Sequence, residues 1–293
     1  MIRIVETPQK WMPKNTFRHP PHQGSNPLIE ERAFAYFSSQ DIKSDYIYIP
    51  IQWTTYHCNN RFGKDTEKVK ELQNWCNSLT EKFPNEKFFT VVQYDDGTLV
   101  SIDRCKVFAS SNSSKSPKSD TTEYVPIPLL SQPHSGQIVQ DKKYKVGFVG
   151  RNDTHKMRKE MIEKLQGNLD YKFVVNISGD LTSPMREVGF NSIFGLAPRG
   201  YGPASFRMYE TMQMGGIPIY ISDEFWLPFA DKIDWEKAAL LVKDTKIETI
   251  PKLVDDLIES GEYKNYQEYG KMVYDKYLTW DGTLNQIAQS ISK

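Results

Sequence analysis

An arginine and a glutamate, Arg207 and Glu210, lie three residues apart just after a glycine-rich turn in the stretch LAPRGYGPASFRMYETMQMGG. An apolar run ends at Pro198 before the turn, and residues with helical spacing follow it. Residues three apart share one face of a helix. A helix start offers free N–H groups and the positive end of the helix dipole, so an arginine there is favoured only beside an anion. The pattern predicts a diphosphate bound by Arg207, with Glu210 accepting hydrogen bonds from ribose hydroxyls.

The turn before this helix supplies backbone groups for the same ligand. Pro203 suits the first turn of a helix, where its missing N–H costs nothing. Glycines allow a ligand to approach the backbone closely, and the predicted backbone contacts are at Gly200, Gly202 and Ser205. The alternative is that the arginine and the glutamate form an exposed ion pair and that the glycines only shape a turn.

Charged residues also follow other predicted strand ends in this half of the chain. Arg151 comes directly after KVGFVG, and Asp223 and Glu224 follow IPIYIS. Ligands of open parallel sheets bind beyond the carboxyl ends of the strands. Arg151 and Arg199 are therefore phosphate candidates, and the two acids are candidates for hydrogen bonds to a donor sugar. A surface charge at residue 151 and a solvated turn residue at 199 are the alternatives, and Arg158 is predicted to be a solvated helix residue.

Strands alternate with amphipathic helices on both sides of a polar stretch, SQPHSGQIVQDKK, that has the composition of a linker. The strands include residues 45–53 (DYIYIPIQW) and 192–198 (SIFGLAP). Such alternation predicts parallel sheets with helices on both faces. We therefore predict an α/β chain with two Rossmann-like halves facing a cleft.

The composition excludes several classes of protein. The 293 residues include 37 Lys+Arg and 37 Asp+Glu, a balance that disfavours a general nucleic-acid binder. Three cysteines without a CxxC pair suggest neither a disulfide framework nor a zinc knuckle. No signal peptide and no apolar run of about 20 residues is present, so no membrane segment is expected and a soluble, cytoplasmic protein is predicted.

Residues 192–235 closely resemble the signature of exostosin-like glycosyltransferases, the GT47 family. The shared elements are a strand, a Pro-Arg-Gly turn, a helix with Arg and Glu, Gly-x-x-Pro, an acidic turn, Leu-Pro-Phe and Asp-Trp. SDYIYIPIQW and FFTVVQYDDGT are weaker counterparts, with Tyr94 where the family usually has histidine. The resemblance covers most of the chain, strongly in the second half.

This resemblance implies a GT-B fold and an inverting transferase that needs no bound metal or other cofactor. The expected domains are residues 1–138 on the acceptor side, residues 139–265 for the nucleotide sugar, and a helical segment, 266–293, that packs back toward the first domain. The expected partners are a nucleotide sugar and a glycan or glycoprotein acceptor, with no nucleic acid. The donor is expected to be UDP-linked xylose, glucuronic acid, galactose, arabinose or N-acetylglucosamine. The missing membrane anchor of Golgi members suggests a viral or microbial relative or a trimmed piece.

Inversion requires a general base to accept the proton of the acceptor hydroxyl. Asp95 matches the family's acidic position after a strand, Asp96 is the next choice, and His57 is the reserve. The alternative is that YDDGT is a hairpin-type turn, which Asp-Gly favours, and that His57 is a polar loop residue. Three aromatic residues are candidates either for sugar stacking or for packing: Trp53, Tyr56 and Trp226.

Two other functions compete with sugar transfer. A Rossmann-type oxidoreductase would require G-x-G-x-x-G after an early strand and an acid about 20 residues later, and this sequence lacks that pattern. A non-catalytic carbohydrate- or nucleotide-binding relative is disfavoured by the presence of Arg207, Glu210 and Asp95.

Overall fold

Each half of the chain builds one five-stranded parallel sheet in the computed structural model of the protein. The structure describes residues 2–16, 26–117, 119–177 and 181–293. Contacts divide these residues into two units, of which the first runs to Pro128 and resumes over Trp280–Lys293, and the second is Leu129–Thr279. The boundaries predicted after residues 138 and 265 both fall inside the second unit.

The first sheet is built in simple chain order. Its strands are β1 (Arg3–Ile4), β2 (Tyr46–Tyr48), β3 (Lys87–Val92), β4 (Cys105–Ala109) and β5 (Thr122–Pro126). The helices between them are α1 (Ile29–Ser39), α2 (Trp53–Asn59) and α3 (Thr66–Lys82), with a 3-10 turn at Gln9–Trp11. Val92 pairs with Ala109, so the carboxyl ends of β3 and β4 lie side by side.

In the second sheet, the direction in which successive strands are added reverses once. Its strands are β6 (Tyr144–Gly150), β7 (Tyr171–Val175), β8 (Ser192–Pro198), β9 (Ile217–Ser222) and β10 (Leu240–Lys243), in the order β7-β6-β8-β9-β10. The chain adds β7 on one side of β6 and β8 on the other. Such a reversal opens a crevice beyond the carboxyl ends of the two strands, where α/β proteins bind ligands.

Helices surround this sheet, and the last one returns to the first unit. They are α4 (Lys156–Leu165), α5 (Thr182–Phe190), α6 (Phe206–Gln213), α7 (Trp235–Ala238), α8 (Ile250–Ser260) and α9 (Tyr263–Tyr277), followed by α10 (Trp280–Ile291). A 3-10 segment, Asp244–Thr249, precedes α8. The fold-class prediction of an α/β chain with two parallel-sheet domains is confirmed.

Two apolar layers hold the second sheet to its helices. Buried side chains of β6, β8 and β9 pack with Met157, Met161 and Leu165 on one face of α4. On the other side α6 lies close to β8, since a Cβ atom added at Gly195 would be 2.2 Å from the Thr211 hydroxyl oxygen. Only glycine permits α6 to approach β8 so closely. This close packing holds α6 against β8, the strand that leads into the glycine-rich turn.

The structure corrects two predicted elements. The strand predicted over residues 45–53 ends at Tyr48, and Trp53 already begins α2, because Pro50 cannot donate a ladder hydrogen bond. The stretch predicted as a linker has no regular secondary structure, but His134 within it is buried and hydrogen-bonds to α6. It is therefore part of the second unit rather than a spacer.

Candidate functional site

The glycine-rich turn lies where the second sheet reverses. It leaves β8 at Pro198, and the amide N–H of Gly200 donates to the carbonyl of Ala204 at 3.4 Å. The helix begins at Phe206 with Ser205 as its N-cap, three residues later than the prediction that placed Pro203 in the first turn. The Pro203 carbonyl instead accepts a hydrogen bond from the buried Tyr220 hydroxyl at 2.8 Å, so β9 holds the turn in place.

Arg207 is fixed on two sides at this reversal. Its Nε donates to the carbonyl of Val149 in β6 at 2.5 Å, and its Nη1 donates to the carboxylate of Glu210. The side chains are 15% and 4% exposed. The ion pair offered as the alternative interpretation is therefore present, but it is buried. It ties α6 to the end of β6, the strand on the other side of the crevice.

Glu210 is also held by the stretch that resembled a linker. Its Oε1 accepts from the Ser131 hydroxyl at 3.2 Å and lies 3.0 Å from Nε2 of His134. The backbone of His134 exchanges two hydrogen bonds with the side chain of Gln213, at 3.2 and 3.1 Å. The sequence-based prediction missed Ser131 and His134, and a histidine in an otherwise featureless polar stretch was the signal available.

Arg199 forms a second ion pair, which joins the ends of the neighbouring strands β8 and β9. Its Nη1 donates to Asp223, which follows β9, and its Nη2 donates to the carbonyl of Tyr201 at 3.3 Å. Burial raises the pKa of Asp223, but the hydrogen bond and charge of Arg199 outweigh it and leave that pKa below its usual value. The Arg199 side chain is 12% exposed, so it is not a solvated turn residue.

Arg158 holds the carboxyl ends of two strands together, contrary to the prediction of a solvated residue. From α4 it donates to the carbonyls of Arg199 at 2.8 Å, Pro198 at 2.9 Å and Arg151 at 3.1 Å. Arg151 itself pairs with Asp153 at the surface and is 64% exposed, as in the surface-charge alternative. Its role as a phosphate ligand stays a prediction.

The remaining donor-side candidates lie around the same edge. Gly202 and Ser205 are buried and Gly200 is half-buried, while Asp223 and Glu224 are exposed after β9. The Ser205 hydroxyl is buried and has no hydrogen-bond partner among the described residues. The structure thus gathers these residues with Arg199 and Arg207 at the carboxyl edge of one sheet.

The acids predicted as bases lie at the carboxyl edge of the first sheet. Asp95 is three residues beyond β3, is half-buried, and accepts a hydrogen bond on its backbone carbonyl from the amide of Ser113 at 3.0 Å. Asp96 is engaged through both carboxylate oxygens, by the Ser113 hydroxyl at 2.5 Å and by Lys115 at 3.2 Å.

His57 lies in the interior of α2 and is not a loop residue. Its Nε2 is 2.9 Å from the Thr98 carbonyl, and its ring packs against Trp53 and Tyr94. Burial lowers its pKa to about 4. This burial disfavours His57 as the reserve base, since an acceptor hydroxyl cannot reach a fully buried ring. Two of the three aromatic stacking candidates, Trp53 and Tyr56, are likewise core residues, and Trp226 is buried as well.

A comparison with protein-family models decides the family. A model described as the Exostosin GT47 domain matches residues 23–257 of this chain. The chain belongs to the GT47 exostosin family. The match includes the glycine-rich turn, α6 and the acidic turn after β9, as well as Asp95 and Asp96.

Individual relatives of this GT47 exostosin chain match over shorter segments. An exostosin-1 homolog of Caenorhabditis elegans is 41% identical over 88 residues, which is 30% of this chain and 23% of the relative. A probable glucuronosyltransferase of Oryza sativa subsp. japonica is 42% identical over 69 residues, 24% of this chain and 16% of the relative. The matches thus span less than a quarter of either relative. A pneumococcal O-GlcNAc transferase solved with UDP and GlcNAc has a TM-score of 0.45 at 12% identity, covering 92% of this chain and 60% of that one.

A buried acid of the GT47 exostosin chain went unnoticed in the sequence. Glu30 in α1 is 1% exposed. Its Oε1 accepts from the Thr54 amide at 3.1 Å, the Thr54 hydroxyl at 2.6 Å and the Gln93 amide at 3.0 Å. Burial raises the pKa of this carboxyl. Glu30 joins α1 and α2 to the end of β3, and its place on the apolar face of PLIEERAF was the available signal.

Two further properties of the GT47 exostosin chain concern metals and membranes. Within the four described ranges, no group of three or more His, Cys, Asp or Glu side chains is arranged to hold a metal ion. In that same part of the chain no helix combines the length and apolarity needed to cross a bilayer.

Proposed function

We propose that the chain transfers a sugar from a nucleotide diphosphate sugar to a hydroxyl of a glycan acceptor, with inversion at the anomeric carbon. Membership of the GT47 exostosin family supports sugar transfer as the class of reaction. The observation that carries the donor assignment is the position of Arg207, a nearly buried guanidinium at the reversal of the second sheet. Open α/β sheets bind nucleotides at that point.

The donor diphosphate would bind at the start of α6. A guanidinium carries five N–H donors, and the bonds of Arg207 to groups of the described residues use Nε and Nη1. The remaining donors suit a diphosphate, which pairs well with arginine. The Ser205 hydroxyl, which has no hydrogen-bond partner among the described residues, and the first amides of α6 are next to Arg207 in the chain. Glu210 forms an ion pair with Arg207, and we propose that it also accepts hydrogen bonds from the ribose hydroxyls.

The rest of the donor would extend over the ends of β6, β8 and β9. We propose Arg151 and Arg199 as further phosphate ligands and Asp223 and Glu224 as partners of the donor sugar, with UDP as the carrier. Xylose, glucuronic acid, galactose, arabinose and N-acetylglucosamine are the candidate sugars. The rice relative is named a probable glucuronosyltransferase, which supports including glucuronic acid.

Asp95 is proposed as the general base. As the acceptor oxygen attacks the anomeric carbon, the bond to the diphosphate breaks and the acceptor proton passes to the Asp95 carboxylate. The developing charge on the diphosphate is stabilised by Arg207 rather than by a metal ion in this proposal. Chelator treatment should therefore leave turnover unchanged.

Uridine diphosphate binding tests the donor site. UDP should raise the thermal midpoint of the wild-type chain, and Arg207→Ala should remove most of that shift. Arg186→Ala is the matched control, because Arg186 is an exposed arginine on α5 in the same unit. A wild-type chain that no nucleotide diphosphate stabilises would contradict the proposal.

Donor turnover tests the base. Asp95→Asn should keep the UDP shift and lose roughly a hundredfold or more in turnover, the usual contribution of a general base. Asp96→Asn is the control and should retain most activity. Full turnover in Asp95→Asn would exclude Asp95 as the base, and nucleotide binding without turnover of any donor sugar would indicate a non-catalytic binding relative.

A further inference from the structure

The turn that carries Asp95 is contacted at both ends by buried titratable side chains. We call residues 93–98, which begin directly after β3, the Asp95 loop. Its two end residues, Gln93 and Thr98, are at most 4% exposed. Glu30 contacts the first of them and His57 the second, and both of these side chains are fully buried as well. The proposed reaction has so far given neither Glu30 nor His57 a role.

At the first end, Glu30 binds the backbone of the Asp95 loop. Its Oε1 accepts from the Gln93 amide at 3.0 Å, two residues before Asp95. The same oxygen accepts from the amide and the hydroxyl of Thr54 in the first turn of α2, at 3.1 and 2.6 Å. Glu30 therefore joins the start of the Asp95 loop to the start of α2.

At the second end, His57 binds the backbone of the same loop. Its Nε2 is 2.9 Å from the Thr98 carbonyl oxygen. A carbonyl can only accept, so Nε2 carries the ring proton and donates it to this bond. The ring is fixed by packing, since its centroid lies 6.0 Å from that of Trp53 and 5.1 Å from that of Tyr94. His57 therefore joins the end of α2 to the end of the Asp95 loop.

Between these two ends the Asp95 loop is a tight turn with few free backbone groups. The Gly97 amide donates to the Tyr94 carbonyl at 2.9 Å, and Gly97 has a φ of +66°, which glycine adopts readily. The Asp95 carbonyl accepts from the Ser113 amide at 3.0 Å. Once its ends are fixed, such a turn leaves the backbone of Asp95 little freedom to move.

The position of a general base controls its rate of proton transfer. The base must lie within hydrogen-bond reach of the acceptor hydroxyl, and a displacement of about 1 Å can cost about a hundredfold in rate. Loops are more mobile than the strands that they follow. A base on a loop therefore needs support from rigid, buried groups, and Glu30 and His57 have the geometry to supply it.

We propose that Glu30 and His57 are positioning residues that fix the Asp95 loop through its two ends, with α2 as the connection between them. This inference rests on the proposed function, because it takes Asp95 to be the base. Neither side chain contacts a substrate in this proposal, and each affects turnover only through the position of Asp95.

Two pairs of variants separate the hydrogen bonds from the packing. His57→Phe keeps a buried ring but has no donor for the Thr98 carbonyl, whereas His57→Gln can still donate. Glu30→Leu removes the acceptor, whereas Glu30→Gln keeps one oxygen. His57→Phe and Glu30→Leu should each lower kcat about tenfold or more without changing KM for the donor. The two glutamine variants should retain most of the wild-type kcat.

Arg104→Ala is the matched control for lost stability. Arg104 directly precedes β4, at the opposite edge of the same sheet, and donates to the carbonyls of Thr80 at 2.8 Å, Glu86 at 3.1 Å and Phe83 at 3.3 Å. Its substitution should lower the thermal midpoint and leave kcat unchanged. Titration of each variant with UDP counts the chains that are folded, and kcat is expressed per UDP-binding chain.

The His57 bond can also be tested in the wild-type chain without turnover. NMR of a chain labelled with ¹⁵N-histidine, assigned with His57→Gln, should show the His57 proton on Nε2. Burial lowers the pKa of this ring to about 4. The ring should therefore stay neutral in the pH range where an ordinary histidine, of pKa about 6.5, becomes charged.

Two results would overturn the inference. They are equal kcat values for His57→Phe and Arg104→Ala, or a His57 ring that titrates near its ordinary pKa or carries its proton on Nδ1. A wild-type chain that turns over no donor sugar would instead contradict the proposed function. Hydrogen exchange then decides on the inference, because His57→Phe should speed exchange of the amides over residues 94–98 and Arg104→Ala should not. Equal exchange in the two variants would overturn it.

Discussion

At the scale of single residues, Glu210 has several partners within the protein, so its role extends beyond that of a candidate ribose ligand. Its carboxylate contacts Arg207, Ser131 and His134, and its side chain is 4% exposed. A buried charge needs such partners, because desolvation without them is costly. Any contact of Glu210 with a ribose would add to these bonds, so its substitution affects folding as well as binding.

Glu210→Ala is therefore expected to destabilise the chain. The substitution removes the carboxylate that pairs with Arg207 and contacts His134. Breaking a buried ion pair typically costs about 3–5 kcal/mol. Glu210→Gln keeps one acceptor oxygen and should cost less, while still reducing the UDP-induced shift. Urea unfolding and UDP thermal shifts of both variants check this, and a fully stable Glu210→Ala chain would contradict the buried network.

A pH-dependent stability is expected from His57. Its folded-state pKa, lowered by burial to about 4, lies below the value of about 6.5 expected when unfolded. Between these values the unfolded chain binds more protons, so stability is lost as pH falls from about 6.5 to 4, by about 3 kcal/mol. His57→Gln can keep a donor for the Thr98 carbonyl and should remove this component. Unfolding free energies at pH 7 and pH 4.5 measure it, and an unchanged difference between the two pH values would refute the assignment.

At the scale of elements, the donor side is assembled by contacts between strand ends and helices. Helix α4 contributes Arg158, which binds carbonyls after both β6 and β8. Helix α6 contributes Arg207, which binds β6 from the other side of the reversal. Two arginines from different helices thus set the spacing of the strand ends that flank the crevice.

Substitution of Arg158 should weaken the connection between the ends of β6 and β8. Arg158→Ala loses two hydrogen bonds to part-buried carbonyls, of Pro198 and Arg199, and one to the exposed Arg151 carbonyl. We expect about 2–3 kcal/mol of lost stability together with weaker UDP binding. Lys159→Ala is the control on the same helix, since Lys159 is 71% exposed and pairs with Glu163. Calorimetry with and without UDP compares the two, and equal behaviour would show that Arg158 has no such role.

At the scale of the whole molecule, each unit presents its polar groups at the carboxyl edge of its own sheet. The second unit gathers Arg199, Ser205 and Arg207 there, and the first gathers Gln93, Asp95 and Asp96. The edges differ in charge, because guanidinium groups dominate one and carboxyl and amide oxygens the other. The guanidinium groups of the second unit suit an anionic ligand at its edge.

Hydrogen exchange should separate the two edges. UDP is expected to protect amides over residues 199–208 of the second unit, where the free N–H groups of α6 begin, and to leave residues 93–98 and 110–116 unchanged. Mass spectrometry of peptic fragments measures the protection, and UDP protection confined to the first unit would contradict the assignment of the donor site.

Much of the fold and part of the site could be predicted from the sequence. Periodicity locates the principal strands and helices, since the spacing of apolar residues follows the geometry of each element. Arg207, Glu210 and the glycine-rich turn are local in sequence, so their proximity is predictable. Glu30, Ser131 and His134 could not be found in this way, because their partners lie between 24 and 79 residues away in the chain.

The sequence by itself determined the family, the parallel α/β class and the arginine–glutamate pair, because these depend on residue types at short, fixed spacings. Only the tertiary structure decided that this ion pair is buried, that the polar stretch after Leu130 closes over Glu210, and that Arg158 clamps two strand ends. These outcomes depend on strand order and helix packing, which join residues that the sequence keeps far apart.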